Sequence, residues 1–253
     1  MSVKIRADEL VVAQKLGENR NKAKALIMAG RIFGPDGRRI EKPGQFLDPA
    51  LILRLSEGRR FVSRAGFKLN GALEELKIDP SGFNCLDLGA STGGFTDCLL
   101  QKGARAVTAV DVGRSLLDAT LRADGRVKVI ENLNARYLDQ VDPVETLGAP
   151  FDLIVADLSF ISLELILPQA SPLLTKDGRI LAMVKPQFEV GRNQVGKGGI
   201  VRDMALVTAA VDKIAALGPR LVPPMIEKAR SWSKLTGKDG NQEVFLLFSF
   251  ASG

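Results

Sequence analysis

From residue 83 onward the chain alternates short β-rich apolar runs with stretches of helical spacing, and this alternation limits the fold more than any other feature. The β-rich runs are FNCLDL (83–88), AVTAVDV (106–112), VKVI (127–130), FDLIVA (151–156), RILAMV (179–184), a stretch near 221–231, and EVFLLFSF (243–250). Alternating strand and helix predicts an α/β fold: a doubly wound, Rossmann-like, mostly parallel sheet with helices on both faces. EVFLLFSF has no crossover helix after it, which suits an antiparallel last strand.

In such sheets ligands bind beyond the carboxyl ends of the strands. LDLGASTGGF (86–95) is a strand, a glycine-rich turn and a helix start, so it marks the expected site. The dinucleotide fingerprint fails, because Ser91 stands where its second glycine belongs. The P-loop fails too, because Phe95 replaces its lysine. Asp87 just before the turn suits a cationic ligand better than a pyrophosphate. S-adenosylmethionine carries a sulfonium, an amino group, a ribose diol and no phosphate. Asp87 can favour its positive groups, while Gly89, Gly93 and Gly94, with Ala90, Ser91 and Phe95 between and beside them, let backbone approach closely. TAVDVG ends the next strand with Asp111 and Val112, and a carboxylate there can accept both ribose hydroxyls. Asn132, Leu133 and Asn134 after the third strand can frame the adenine. The plainer alternative is a structural βαβ turn.

Chemistry is bounded by what is missing. There is no histidine among the 253 residues, which excludes every triad and metal site that needs imidazole. Cys85 and Cys98 form no CxxC, so no metal is expected. No apolar run reaches the ~18 residues of a membrane helix, and MSVKIRADEL has no signal-like apolar segment; a cytoplasmic location is expected.

The net charge of +6 is uneven: residues 1–60 hold 13 Lys and Arg against 7 Asp and Glu, and the remainder is balanced. This points to a small polyanion-binding module. RADELVVAQKLG (6–17) reads as a helix. Asn19 can cap a second helix with Ala23, Leu26 and Ile27 inward, stopped by Gly30. Strands follow at 31–33 and 51–55. The stretch NRNKAKALIMAGRIF with the downstream KPG resembles the S4 RNA-binding domain. The resemblance implies RNA contacts from Arg6, Arg20, Lys22, Lys24 and Arg31. The turn Phe33-Gly34-Pro35-Asp36-Gly37 departs from the usual turn of that family. The expected organisation is an S4-like domain at 1–58, a linker at 59–64 carrying Arg64, which is also expected to meet RNA, and the α/β domain at 65–253, opened by a helix at 65–77.

Four ionisable residues stand near the ends of these elements: Lys68, Asp157, Lys185 and Glu243. In a doubly wound sheet Asp157 and Lys185 project from adjacent carboxyl ends. Glu243 joins them only if its strand is antiparallel. VSRAGFKL, LDLGASTGGFTDCLLQKGA, VADLSFISL, LAMVKPQFE and GGIVRD resemble the TlyA-type ribosomal RNA methyltransferases over nearly the whole chain. That family pairs an S4 domain with an FtsJ-like domain. The resemblance implies methylation of cytidine ribose 2′-hydroxyls in ribosomal RNA, with Lys68, Asp157, Lys185 and Glu243 at the transfer site and Asp157 also beside the cofactor. Ribosomal RNA or ribosomal subunits would be the partner, with no membrane and no metal. Lys185 can stabilise developing alkoxide charge or take the proton itself. FEVGRNQVGKGGIVRD (188–203) is expected to be either a flexible lid touching phosphates through Arg192 and Lys197 or an ordinary solvated loop. The rival readings are a non-catalytic RNA-binding assembly factor, a membrane-active haemolysin, and an S4-linked pseudouridine synthase.

Overall fold

The computed structural model describes residues 4–28, 30–56, 61–141, 144–237 and 239–250. Its contacts divide the chain into two units, Met1–Arg60 and Phe61–Gly253.

The first unit contains strand β1 (Ile5–Arg6), helices α1 (Ala7–Ala13) and α2 (Arg20–Met28), and strands β2 (Ile32–Phe33), β3 (Phe46–Leu47) and β4 (Arg54–Leu55). Its core joins Leu10 and Val11 of α1 to Ala23, Leu26 and Ile27 of α2 and to Ile32, Ile40 and Leu53. The Asn19 cap forms, its side chain accepting from Lys22 N at 2.9 Å. Gly30, at φ +68°, turns the chain out of α2, a conformation glycine adopts without a Cβ clash. α1 is shorter than the expected 6–17, because Lys15 takes φ +58° and the chain turns there. The strands form two separate antiparallel pairs, β1 with β3 and β2 with β4.

The second unit runs α3 (Arg64–Glu75), β5 (Asn84–Leu88), α4 (Gly94–Gln101), β6 (Ala106–Val110), α5 (Ala119–Arg122), β7 (Val127–Ile130), β8 (Phe151–Ala156), α6 (Leu167–Ala170), β9 (Leu174–Val184), α7 (Pro186–Glu189), α8 (Met204–Ala215), β10 (Met225–Trp232) and β11 (Val244–Phe250). One sheet has the order β10-β11-β9-β8-β5-β6-β7. β5 to β9 pair in parallel, and β11 is inserted antiparallel between β9 and β10, as the missing crossover predicts. Two apolar clusters cover the two faces of this sheet, one including Leu86, Leu88, Ile154 and Val184, the other Cys85, Leu153, Val155 and Leu181. Burial on both faces is why these strands read as unbroken apolar runs.

The expected linker overlaps this unit. Residues 59 and 60 lie outside the described residues, while Phe61 is buried in the core and Val62 N donates to Asp97 Oδ2 at 2.8 Å. The strand order reverses between β5 and β8, so the crevice for a ligand opens above those two strands.

Candidate active site

A cavity of about 450 Å³ lies over the carboxyl ends of β5, β6 and β8. Gly89, Ser91, Asp111, Val112, Leu133, Asn134 and Asp157, all anticipated from the sequence, line it. So do Leu158, Ser159, Phe160 and Ile161, which sequence reasoning misses. The signal is present: LSFI (158–161) directly follows Asp157, and a loop leaving a strand end at the switch point must form a wall of the crevice.

Each strand end delivers its residue for a local reason. Gly89 has φ +83°, and a Cβ on it would sit 2.6 Å from the Asp157 carbonyl, so only glycine lets β5 end this close to β8. The Asp111 carboxylate braces the turn, accepting from Ser91 N at 2.8 Å through Oδ2 and from Gly113 N at 2.6 Å through Oδ1. Asn134 accepts from Arg136 N at 3.0 Å, capping the turn that follows. Ala90 lies in a small recess next to the cavity, with Ser91 and Asp111.

The remaining glycine-loop residues do other work than expected. Gly93 faces Leu117 and Leu121, and Gly94 faces Ser63, Ala65 and Gly66 of the α3 region. Phe95 is buried against Phe245, ring centroids 5.9 Å apart. Asn132 has φ +59° and is exposed. None of these four lines the cavity. Here the glycines serve helix packing, a need that looks the same in sequence as ligand approach.

Asp87 also differs from its expected place. It is 0% exposed and does not line the cavity. Oδ2 accepts from Thr96 N at 2.9 Å and from Thr96 Oγ1 at 2.6 Å, inside the start of α4. Oδ1 is buried and receives no hydrogen bond. Burial pushes this carboxyl up to about 7, against the opposing effect of Thr96. The fold therefore holds a proton that the unfolded chain releases between about pH 4 and 7. Stability is expected to fall as pH rises through that window, by up to about 4 kcal/mol. Denaturant titrations at pH 5 and pH 8 check this. Asp87→Asn should flatten the difference, and an equal slope in both proteins would refute it.

Lys185, Asp157, Lys68 and Glu243 form two ion pairs. Lys185 leaves the end of β9 with Nζ 2.7 Å from Asp157 Oδ1 and donates to Ser159 Oγ at 2.9 Å. The approach to Asp157 is ionic and off the hydrogen-bonding direction, since Oδ1 has no hydrogen-bond partner. Lys68 of α3 donates to Glu243 Oε2. Val244 pairs with Val184, so the antiparallel register sets Glu243 beside Lys185 at one sheet edge. A lysine at the end of a buried strand thus has an acidic neighbour on either side.

The basic residues expected to meet RNA divide. Arg6 and Arg20 donate to the buried Asp8, at 3.0 and 3.1 Å, and hold its carboxyl down to about 2, Arg6 contributing most. Arg31 donates to the Ser56 carbonyl through both Nε (3.3 Å) and Nη2 (3.1 Å). Two of these three therefore brace a buried carboxylate and the third a backbone carbonyl. Lys22 is exposed and Lys24 half-buried. Arg64 is exposed and donates to Thr236 O at 3.2 Å. Lys197 is exposed, and the Arg192 side chain lies outside the described residues.

The expected lid is anchored at both ends. Glu189 accepts from Ser162 Oγ at 2.6 Å and Leu163 N at 2.9 Å, and its burial raises its carboxyl. Val201 N donates to Asn241 Oδ1 at 2.9 Å, and Asn241 Nδ2 donates to Gly199 O at 2.8 Å. Among the described residues no cluster of three or more His, Cys, Asp or Glu can hold a metal, and no helix is long and apolar enough to cross a membrane.

Residues 61–250 match the profile of the FtsJ-like methyltransferases. A Bacillus subtilis protein provisionally named rRNA methyltransferase YqxC is 44% identical over 97% of this chain and 85% of its own length. The 16S/23S rRNA (cytidine-2′-O)-methyltransferase TlyA of Mycobacterium tuberculosis is 42% identical over 97% of this chain and 90% of its own. Among solved structures, a Streptococcus thermophilus protein provisionally described as a hemolysin aligns with a TM-score of 0.73 at 38% identity. That alignment covers 100% of this chain and 90% of that one.

Proposed function

The chain belongs to the FtsJ-like methyltransferase family, and from that premise we propose that it methylates the 2′-hydroxyl of a cytidine ribose in ribosomal RNA, with S-adenosylmethionine as donor. The observation that carries the reading is the Lys185–Asp157 contact at the edge of a cavity with an acidic strand end, with the Lys68–Glu243 contact beside it in register. The donor supplies a sulfonium methyl, an electrophile that needs alignment more than activation.

The residues present suit such a cation. Two carboxylates, Asp111 and Asp157, line the cavity, and an acidic lining suits a positive ligand. Asp111, just beyond the end of β6, lines the cavity, and its carboxylate would accept the ribose hydroxyls. Asp111→Ala is expected to weaken cofactor binding about 10- to 100-fold, the range for a lost hydrogen-bonded charge. Calorimetry checks it, and an unchanged Kd refutes the contact.

At the reacting hydroxyl, Lys185 supplies the positive charge that an emerging alkoxide needs. Asp157 and Ser159 hold that ammonium in place. Glu243 holds Lys68 on the other side. Positioning of this kind accounts for a large share of catalysis when the electrophile is already strong. Phe160 is 91% exposed, has φ +65° and stands on the cavity wall with its ring 5.2 Å from Phe188. A bulky residue in that strained conformation suggests function, and it offers a face to the target base. Of the first-unit cations expected to meet RNA, Lys22 is exposed and Lys24 half-buried, which leaves both open to phosphates.

The test is to incubate ribosomal RNA with the protein and S-adenosylmethionine and map the 2′-O-methyl marks. New marks confined to particular cytidines are expected. Methyl groups only on bases, or none, would overturn the proposal.

A further inference from the structure

A second, shallow depression of about 50 Å³ lies on the far side of Lys68. Phe67, Trp232 and Leu235 border it, with Lys68 and Lys234. Phe67 is 42% exposed, Trp232 39% and Leu235 37%, an uncommon gathering of exposed large apolar groups beside a reaction centre. We infer that this patch is a stacking site for an unpaired base of the RNA next to the nucleotide being methylated; the inference rests on the RNA reading above.

Three observations support it. The Phe67 ring is held before any partner arrives, packing edge-on against buried Phe61 with centroids 5.1 Å apart at 82°, and the Trp232 backbone is fixed where it closes β10 in register with Val244. A pre-set aromatic face is what sequence-tolerant base stacking requires. Cations stand beside the apolar surface. Lys234 is exposed at the border, and Arg64 reaches over the neighbouring loop to Thr236 O at 3.2 Å. This mix fits a nucleic-acid strand, whose bases stack while its phosphates take the charge. The acidic member, Glu75, is engaged with Ser231 Oγ at 2.9 Å. Finally, Lys68 borders the depression and also binds Glu243, whose strand neighbour Val244 is the register partner of Trp232. The patch is therefore continuous with the transfer site.

Trp232 is the single tryptophan of the chain, so its fluorescence reports on this patch alone. Titrating the full-length protein with a single-stranded oligocytidylate should quench it saturably, with weaker binding at higher salt. Phe67→Ala and Trp232→Ala should each raise KM for ribosomal RNA roughly tenfold, within the range for one lost base stack. The value of kcat at saturating RNA and the cofactor Kd should hold, and Trp232→Phe should restore KM. If wild-type enzyme methylates RNA with no change in fluorescence, or if both alanine variants keep the parental KM, the inference falls while the proposed reaction stands. Quenching by RNA without any methylation sinks the reaction and supports the patch. A Trp232 emission maximum that shifts with protein concentration in the absence of RNA would mark a self-association contact and overturn the inference.

Discussion

Replacing Lys185 with alanine is expected to lower the rate of methyl transfer to ribosomal RNA about 10²- to 10⁴-fold, the range for removing one positioned catalytic group. The cofactor Kd should stay within about threefold, because Lys185 does not line the cavity in which the cofactor would sit. The variant should keep its fold, since the lysine sits at a strand end and contacts Asp157 and Ser159 rather than the apolar core. Single-turnover transfer of a labelled methyl group, with calorimetry of cofactor binding, separates the two effects. Arginine at the same position retains the charge and cannot accept a proton at working pH. Substantial activity in Lys185→Arg would assign the lysine to charge stabilisation. Loss equal to that of alanine would assign it to proton removal. An alanine variant with the parental rate would remove Lys185 from the mechanism altogether.

How much of this was legible beforehand depends on what kind of constraint each residue obeys. The sheet was legible because strands buried on both faces must be apolar throughout, and an antiparallel last strand follows from the missing crossover. Asp157, Lys185 and Glu243 were legible because charged residues at the ends of apolar runs have no packing role there. The depth of Asp87 was not legible. Its Thr96 partner lies nine positions away across a turn, and either a ligand-facing or an inward carboxylate fits the same spelling. The structural role of Arg6 and Arg20 is not legible for a similar reason. Only the burial of Asp8, which depends on α1 packing against α2, shows that these two guanidiniums balance a carboxylate. Helix α8 carries Val207, Val211 and Ile214 at helical spacing after an Asp203 cap, a signal available in the sequence but overshadowed by the glycine-rich segment before it.

Gly94 was expected to admit the cofactor, yet it faces the opposite way. A Cβ there would fall 2.1 Å from Ser63 Oγ and 2.9 Å from both Ala65 Cβ and Gly66 N. Gly66 answers from α3: its own Cβ would lie 2.5 Å from Phe61 and 2.8 Å from the Gly94 carbonyl. Two glycines thus let α4 and α3 touch backbone to backbone, and Lys68 sits two residues beyond Gly66 on the same helix. Gly94 needs no left-handed φ, so alanine at this position tests space alone. Gly94→Ala must push α3 outward, at a cost of about 1–3 kcal/mol for overpacking. It should also loosen the Lys68–Glu243 contact and lower kcat roughly 10- to 100-fold, as small misplacements of a catalytic group do. The cofactor Kd should change little, because Gly94 is not part of the cavity wall. Denaturant unfolding, single-turnover rate and calorimetry on the one variant decide the matter. A large rise in Kd with an unchanged single-turnover rate would return Gly94 to the cofactor and remove the glycine contact as the device that sets Lys68.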